Sequence, residues 1–112
     1  MYLRIENFIY RIYVAKTFRE KIKGLIGKTN INYGLLIPSC NQIHTYFMKE
    51  NIDVIAIDEN NQVIYKYENL PPNQIIRIKN KQKNTSVLEL PQNTSRSIRI
   101  GDVLLFKSKY II

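Results

Sequence analysis

The stretch Ile52-Asp53-Val54-Ile55-Ala56-Ile57-Asp58-Glu59-Asn60-Asn61-Gln62-Val63-Ile64-Tyr65-Lys66-Tyr67 decides the fold class. Two runs rich in β-branched and aromatic residues flank Asp58 to Asn61, whose Asp and Asn tolerate positive φ. That combination predicts a hairpin of strands over 52–57 and 62–67. Leu70-Pro71-Pro72-Asn73 ends it. Outward from the hairpin, further strand-like runs lie at 34–37 and 43–48 before it, and at 74–79, 85–90, 95–100 and 103–107 after it. Turn-forming stretches separate them: Asn80 to Asn84, Pro91 to Thr94, and Gly101-Asp102.

The chain opens with alternation as well, Leu3 and Ile5 against Tyr2, Arg4 and Glu6, then Phe8 to Val14. Two short strands with a turn near Glu6 and Asn7 fit this pattern. The period then changes at Thr17-Phe18-Arg19-Glu20, a capping box in which the Thr hydroxyl and the Glu carboxylate satisfy each other's backbone donors. A short helix over about 18–26 is expected, with Phe18, Ile22, Leu25 and Ile26 on one face and Gly27 as its terminator. Nine or ten short strands and one helix make the chain mainly β, a compact β-sandwich or barrel-like fold forming a single domain over 1–112.

The 112 residues suffice for one core, with roughly two-thirds of the unfolded surface buried on folding. At 45% hydrophobic and 23% charged, the composition is that of a globular protein, which argues against disorder. One Cys rules out an intramolecular disulfide or a multi-cysteine zinc site, and one His narrows catalysis further. Arg4, Glu6 and Arg11 interrupt the first apolar residues, so no secretory signal is read. No apolar run approaches the ~20 residues of a membrane helix. A cytoplasmic protein without membrane insertion is the expectation.

Seventeen Lys and Arg against nine Asp and Glu give a net charge of +8. Such a surplus suits a nucleic-acid partner, which rewards displaced counterions. The positive charge gathers at Lys21, Lys23 and Lys28, at Lys79, Lys81 and Lys83, and at Lys107 and Lys109, with most of the Arg scattered between. A solvated basic surface accounts for that distribution more simply. The eight tyrosines are dispersed, and strand propensity explains them.

Several segments taken in order resemble the domain of unknown function 192 family. They are Ala15-Lys16-Thr17, Gly24-Leu25-Ile26-Gly27-Lys28, Gly34-Leu35-Leu36, Cys40, Ile43 to Lys49, Ile52-Asp53-Val54, Ile57-Asp58, Val87 to Pro91 and Gly101-Asp102. The resemblance implies a compact β-rich fold with one helix near its N-terminal end and no established activity. The chain departs from the family pattern at Phe18 and Asn51, where Pro is usual, and at Asn93, where Gly is usual. Asn93 can still take a left-handed conformation.

Chemistry has few places to sit. Cys40 and His44 are the one nucleophile-and-base or two-ligand pair available. On one extended strand they stand about 13 Å apart, so convergence requires Pro38-Ser39-Cys40-Asn41 to fold back as a turn. A buried thiol and a hydrogen-bonded imidazole is the plainer account. Asp53 and Asp58, ~16 Å apart on a straight strand, are not a catalytic pair. Asp53 is expected to meet a Lys or Arg from the helix. Glu89 alternates away from Leu88 and Leu90, which reads as a solvated strand face; the resemblance implies, as an alternative, a salt bridge or ligand contact beside His44.

The leading functional reading is a non-enzymatic binding or accessory domain for an unknown protein or small ligand, with Cys40, His44, Phe47, Met48, Asp53 and Glu89 as candidate contacts. The alternatives are a small enzyme or metal site on Cys40 and His44, helped by Glu89 or Asp53, and nucleic-acid binding through Lys21, Lys23, Lys28, Lys79, Lys81 and Lys83. No cofactor, metal or catalytic residue is assigned.

Overall fold

The computed structural model describes residues 1–79 and 84–109, apart from the side chains of Phe18 and Ile22. Along the chain the elements are β1 (Tyr2–Ile5), β2 (Phe8–Val14), α1 (Phe18–Lys23), β3 (Gly34–Ile37), β4 (Gln42–His44), β5 (Ile52–Ile57), β6 (Val63–Leu70), β7 (Ile75–Arg77), β8 (Ser86–Pro91) and β9 (Phe106–Lys107). The predicted hairpin is β5–β6, antiparallel, with Asn61 at φ 60°. Asp58 Oδ1 accepts from the backbone N–H of Asn60 at 2.8 Å and of Gln62 at 3.0 Å, which fixes the turn.

Seven strands form one sheet in the order β6-β5-β8-β3-β2-β1-β9, and β4 pairs with β7 in a separate ribbon. β2 and β3 run parallel, so a crossover must join them, and α1 lies within it. The sheet curls into a half-barrel. Residues 101–107 span its mouth: Val103 bridges to Gln62 just before β6, while Phe106 and Lys107 pair with β1 at the opposite edge.

Period-two alternation divides the apolar residues between the two faces of this sheet. On β5, Ile55 and Ile57 join a cluster with Leu3, Ile12, Leu88, Leu90 and Leu104. Ile52, Val54 and Ala56 join the other cluster, with Leu25, Ile43, Met48, Val87 and Ile78. The second cluster packs the sheet against the helix-end turn and the β4–β7 ribbon. All six residues of β5 are therefore buried, as a strand covered on both faces must be.

Several strand ends shift by one to three residues, and four segments depart further from the expectation. The helix stops at Lys23, because Gly24 takes φ 50° and ψ −130°, a conformation that only glycine adopts without strain. The strand read over 43–48 is β4 and ends at His44. Thr45 Oγ1 donates to Pro71 O at 2.7 Å and accepts from Gln74 N at 2.8 Å, and Phe47 turns the chain at φ 64°. Residues 95–100 contain no strand, since Ile98 N bonds back to Ser95 O and Arg99 N to Asp102 Oδ2. The run 103–107 reduces to the bridge at Val103 and the two residues of β9.

Candidate functional site

Where α1 ends over the sheet, a pocket of about 170 Å³ opens between the helix end, the segment 40–44 and β8. Its floor is Glu89. This residue pairs with Leu35 of β3 and Val54 of β5, so its side chain rises from the face that the helix end covers. It is only 4% exposed, which corrects the expectation of a solvated strand face. β8 is an interior strand whose two faces are both covered, and alternation along one strand cannot reveal the second cover.

Gly24 is the contact that seats the helix end there. A Cβ on it would stand 3.1 Å from Glu89 Oε1 and 3.2 Å from Oε2, so the chain crosses the carboxyl without a side chain between them. The next residue, Leu25, donates its backbone N–H to Glu89. Among the described residues that is one donor for a group with about four acceptor sites when ionised. Oε2 is buried with no partner among the described residues. Burial accordingly pushes the Glu89 carboxyl up to about 7, against the smaller pull of the Leu25 N–H.

Cys40 and His44 enter from one wall. Ser39 at φ 51° folds the chain just before Cys40, and β4 begins only at Gln42, so the straight-strand separation does not apply. Both residues line the pocket together with Met48 and Glu89. The Cys40 thiol donates to Gln42 O at 3.2 Å. Burial pushes that thiol up, and the Glu89 charge adds to the rise; the Gln42 backbone and Lys21 oppose it. A thiol so held stays protonated and is a weak nucleophile. The His44 ring lies 5.4 Å from that of Tyr46, tilted by 31°, and its Nδ1 is buried with no partner among the described residues.

Four of the six candidate contacts, Cys40, His44, Met48 and Glu89, therefore share one pocket. Phe47 and Asp53 do not line it. Phe47 is 80% exposed in its turn. Asp53 pairs with Leu90 and so belongs to the opposite face of the sheet. No helix cation meets it. Oδ1 accepts from Asn69 N at 2.9 Å and Asn93 N at 3.0 Å, and Oδ2 from Ser95 N at 2.9 Å and Ser95 Oγ at 2.5 Å. Asn93 takes φ 66°, the left-handed conformation expected of it.

Of the six lysines considered for nucleic acid, Lys21 and Lys23 line this same pocket. Lys28 and Lys79 are exposed elsewhere, and Lys81 and Lys83 lie outside the described residues. The sequence reading passed over Gly24, Leu25, Gln42 and Ile43 as site residues, although the Gly24-Leu25 pair stood within the family signature. Among the described residues, no three His, Cys, Asp or Glu groups are grouped as a metal site would need. No helix there is long and apolar enough to cross a membrane.

Fold and site together define a small mainly β protein with a pocket that brings a thiol, an imidazole and a buried carboxyl together beneath two lysines. Residues 3–106 match the profile of DUF192, the domain of unknown function 192 family, described as "Uncharacterized ACR". The chain belongs to that family. It is 37% identical over 60 residues to a UPF0127 protein of Thermococcus sibiricus, a match covering 48% of this chain and 39% of the relative's length. Two crystal structures share the fold. One is a protein of unknown function from Novosphingobium aromaticivorans, with TM-score 0.75, 20% identity, and 88% of this chain and 76% of that one covered. The other is a candidate transcription regulator from Sinorhizobium meliloti, with TM-score 0.76, 18% identity, and coverages of 93% and 89%.

Proposed function

We propose that this protein is a small-molecule binding module whose site is the pocket over Glu89. The carrying observation is the carboxyl itself, buried beneath Gly24 with Oε2 unpartnered among the described residues. An unsatisfied buried polar atom costs about 1–3 kcal/mol, and Glu89 lines a pocket from which a ligand could reach its carboxyl group. His44, whose Nδ1 is buried with no partner among the described residues, lines the same pocket. Apolar walls with a few convergent polar groups are the usual make-up of ligand sites. The protonated state of the Cys40 thiol favours this reading over nucleophilic catalysis.

Two-dimensional NMR against a library of small polar compounds tests it. Binders are expected to shift the amides of Leu25, Ile26, Cys40, Ile43, His44 and Glu89 as one set. A library that leaves this set unmoved, or whose binders act only on other faces, would overturn the reading.

A further inference from the structure

We infer that the pocket takes a small organic carboxylate, its apolar body against Leu25, Ile43 and Met48 and its charged end shared among Glu89, His44 and the lysines of the rim. This rests on the binding reading above and names the class of ligand. Charge is the first argument. Lys21 and Lys23 stand at the pocket, and the whole chain carries a surplus of +8, so a cationic ligand meets repulsion on approach and an anion meets attraction.

The second argument concerns the floor. An anion beside a buried carboxylate would be excluded, but an anion beside a protonated carboxyl gains a donor. Burial of Glu89, 4% exposed, favours the protonated form. From α1 the ionisable neighbours in the pocket are Lys21 and Lys23, and from the segment 40–44 they are Cys40 and His44; the paired strands β3 and β5 present only Leu35 and Val54. Among the described residues none of these lysines forms an ion pair with Glu89, and the Leu25 N–H is the backbone group that favours its charged form. The position of its acidity near 7 agrees with this.

The third argument is shape. A pocket of about 170 Å³ with aliphatic and thioether walls accommodates a body of a few carbons, which inorganic phosphate lacks. Binding then takes up a proton. The free protein at pH 8 holds Glu89 mostly ionised, and the bound carboxylate holds it protonated, with the proton lying between two carboxyl groups.

Isothermal titration of the full chain with propionate, butyrate and benzoate, with butyramide, butylamine and inorganic phosphate as controls, tests the assignment. The carboxylates are expected to bind about tenfold more weakly at pH 8 than at pH 6. Proton uptake, read from titrations in buffers of different ionisation enthalpy, should approach one per ligand at pH 8. Glu89→Gln keeps a neutral donor and is expected to abolish both effects while still binding. Lys21→Ala with Lys23→Ala should weaken carboxylates and flatten their salt dependence.

Binding of butyramide or butylamine in place of carboxylates, at the same NMR residues, overturns the carboxylate assignment and leaves the pocket reading standing. Phosphate binding as tightly as the carboxylates overturns it likewise, since the apolar body would then contribute nothing. Carboxylate binding with no proton uptake overturns the role given to Glu89. If none of the probes and no library compound moves the pocket amides, the pocket reading fails with it.

Discussion

Glu89 and Asp53 are both buried carboxyls, and what surrounds each oxygen separates their roles. Asp53 is fully buried with four donors on its two oxygens, drawn from Asn69, Asn93 and Ser95. Glu89 lines a pocket, is favoured in its charged form by the Leu25 N–H, and has one oxygen buried with no partner among the described residues. The first arrangement holds loops together, and the second leaves a group for something else to complete. Asp53→Ala would strand three backbone N–H groups at the sheet end. A loss of about 4 kcal/mol is expected, on the cost of unsatisfied buried donors, with Asp53→Asn losing less because one acceptor remains. Urea unfolding at neutral pH measures it, and a loss below about 1 kcal/mol would mean that water reaches those donors. None of this was legible at residue 53, because its partners lie 16 to 42 positions away along the chain. Only the acidic residue inside an apolar run was visible, and that marks a special environment without saying which.

At the level of elements, local chemistry predicted what local chemistry determines. The hairpin turn at Asp58 to Asn61 and the helix start at Thr17 are both satisfied by residues within four positions, so the sequence shows them. Thr17 Oγ1 accepts from Glu20 N at 3.1 Å, and Glu20 Oε2 reaches back to Lys16 N at 3.2 Å, one position before the expected partner. The run 95–100 alternates like a strand, but its backbone groups are taken by distant side chains. Asp53 captures Ser95 N, and the Lys66 ammonium donates to Ser95 O at 2.9 Å and Ile98 O at 2.6 Å. A pattern of side chains carries no record of such competition. The early helix end has the same origin, because Gly24 turns where the chain must pass over Glu89. Gly24→Ala would combine a conformation reserved for glycine with a methyl about 3.1 Å from a carboxyl oxygen. A loss of about 2 kcal/mol is expected from backbone strain of this kind, together with displaced amide resonances of Leu25 and Glu89. Gly27→Ala, equally at positive φ but with nothing within 4 Å, should show the backbone cost alone. Equal losses at the two positions would show that Glu89 yields without resistance.

For the whole molecule, the decisive fact is a sheet with apolar clusters on both faces, since it is the outer cover that buries Glu89 and forms the pocket. That cover is built from the helix end and the β4–β7 ribbon, elements too short and irregular for their placement to follow from pattern. It also makes the stability of the fold depend on pH in a calculable direction. The Glu89 carboxyl sits near 7 in the folded chain and at its ordinary 4.5 when unfolded. Below about pH 4.5 both states hold the proton, and the residue imposes no penalty. Between 4.5 and 7 the unfolded chain releases the proton while the folded chain retains it, so the folded state binds more protons and loses stability as pH rises. Above 7 the penalty levels off at about 3 kcal/mol, taking 1.36 kcal/mol per pK unit as an approximate conversion. Glu89→Gln cannot ionise and keeps an acceptor for the Leu25 N–H. Its stability should match that of the unsubstituted protein near pH 4.5 and exceed it by about 3 kcal/mol at pH 8, as read from urea unfolding across that range without added ligand. A difference that does not change with pH would mean that the buried carboxyl ionises as freely in the fold as in water, and the protonated floor on which the carboxylate site depends would be lost with it.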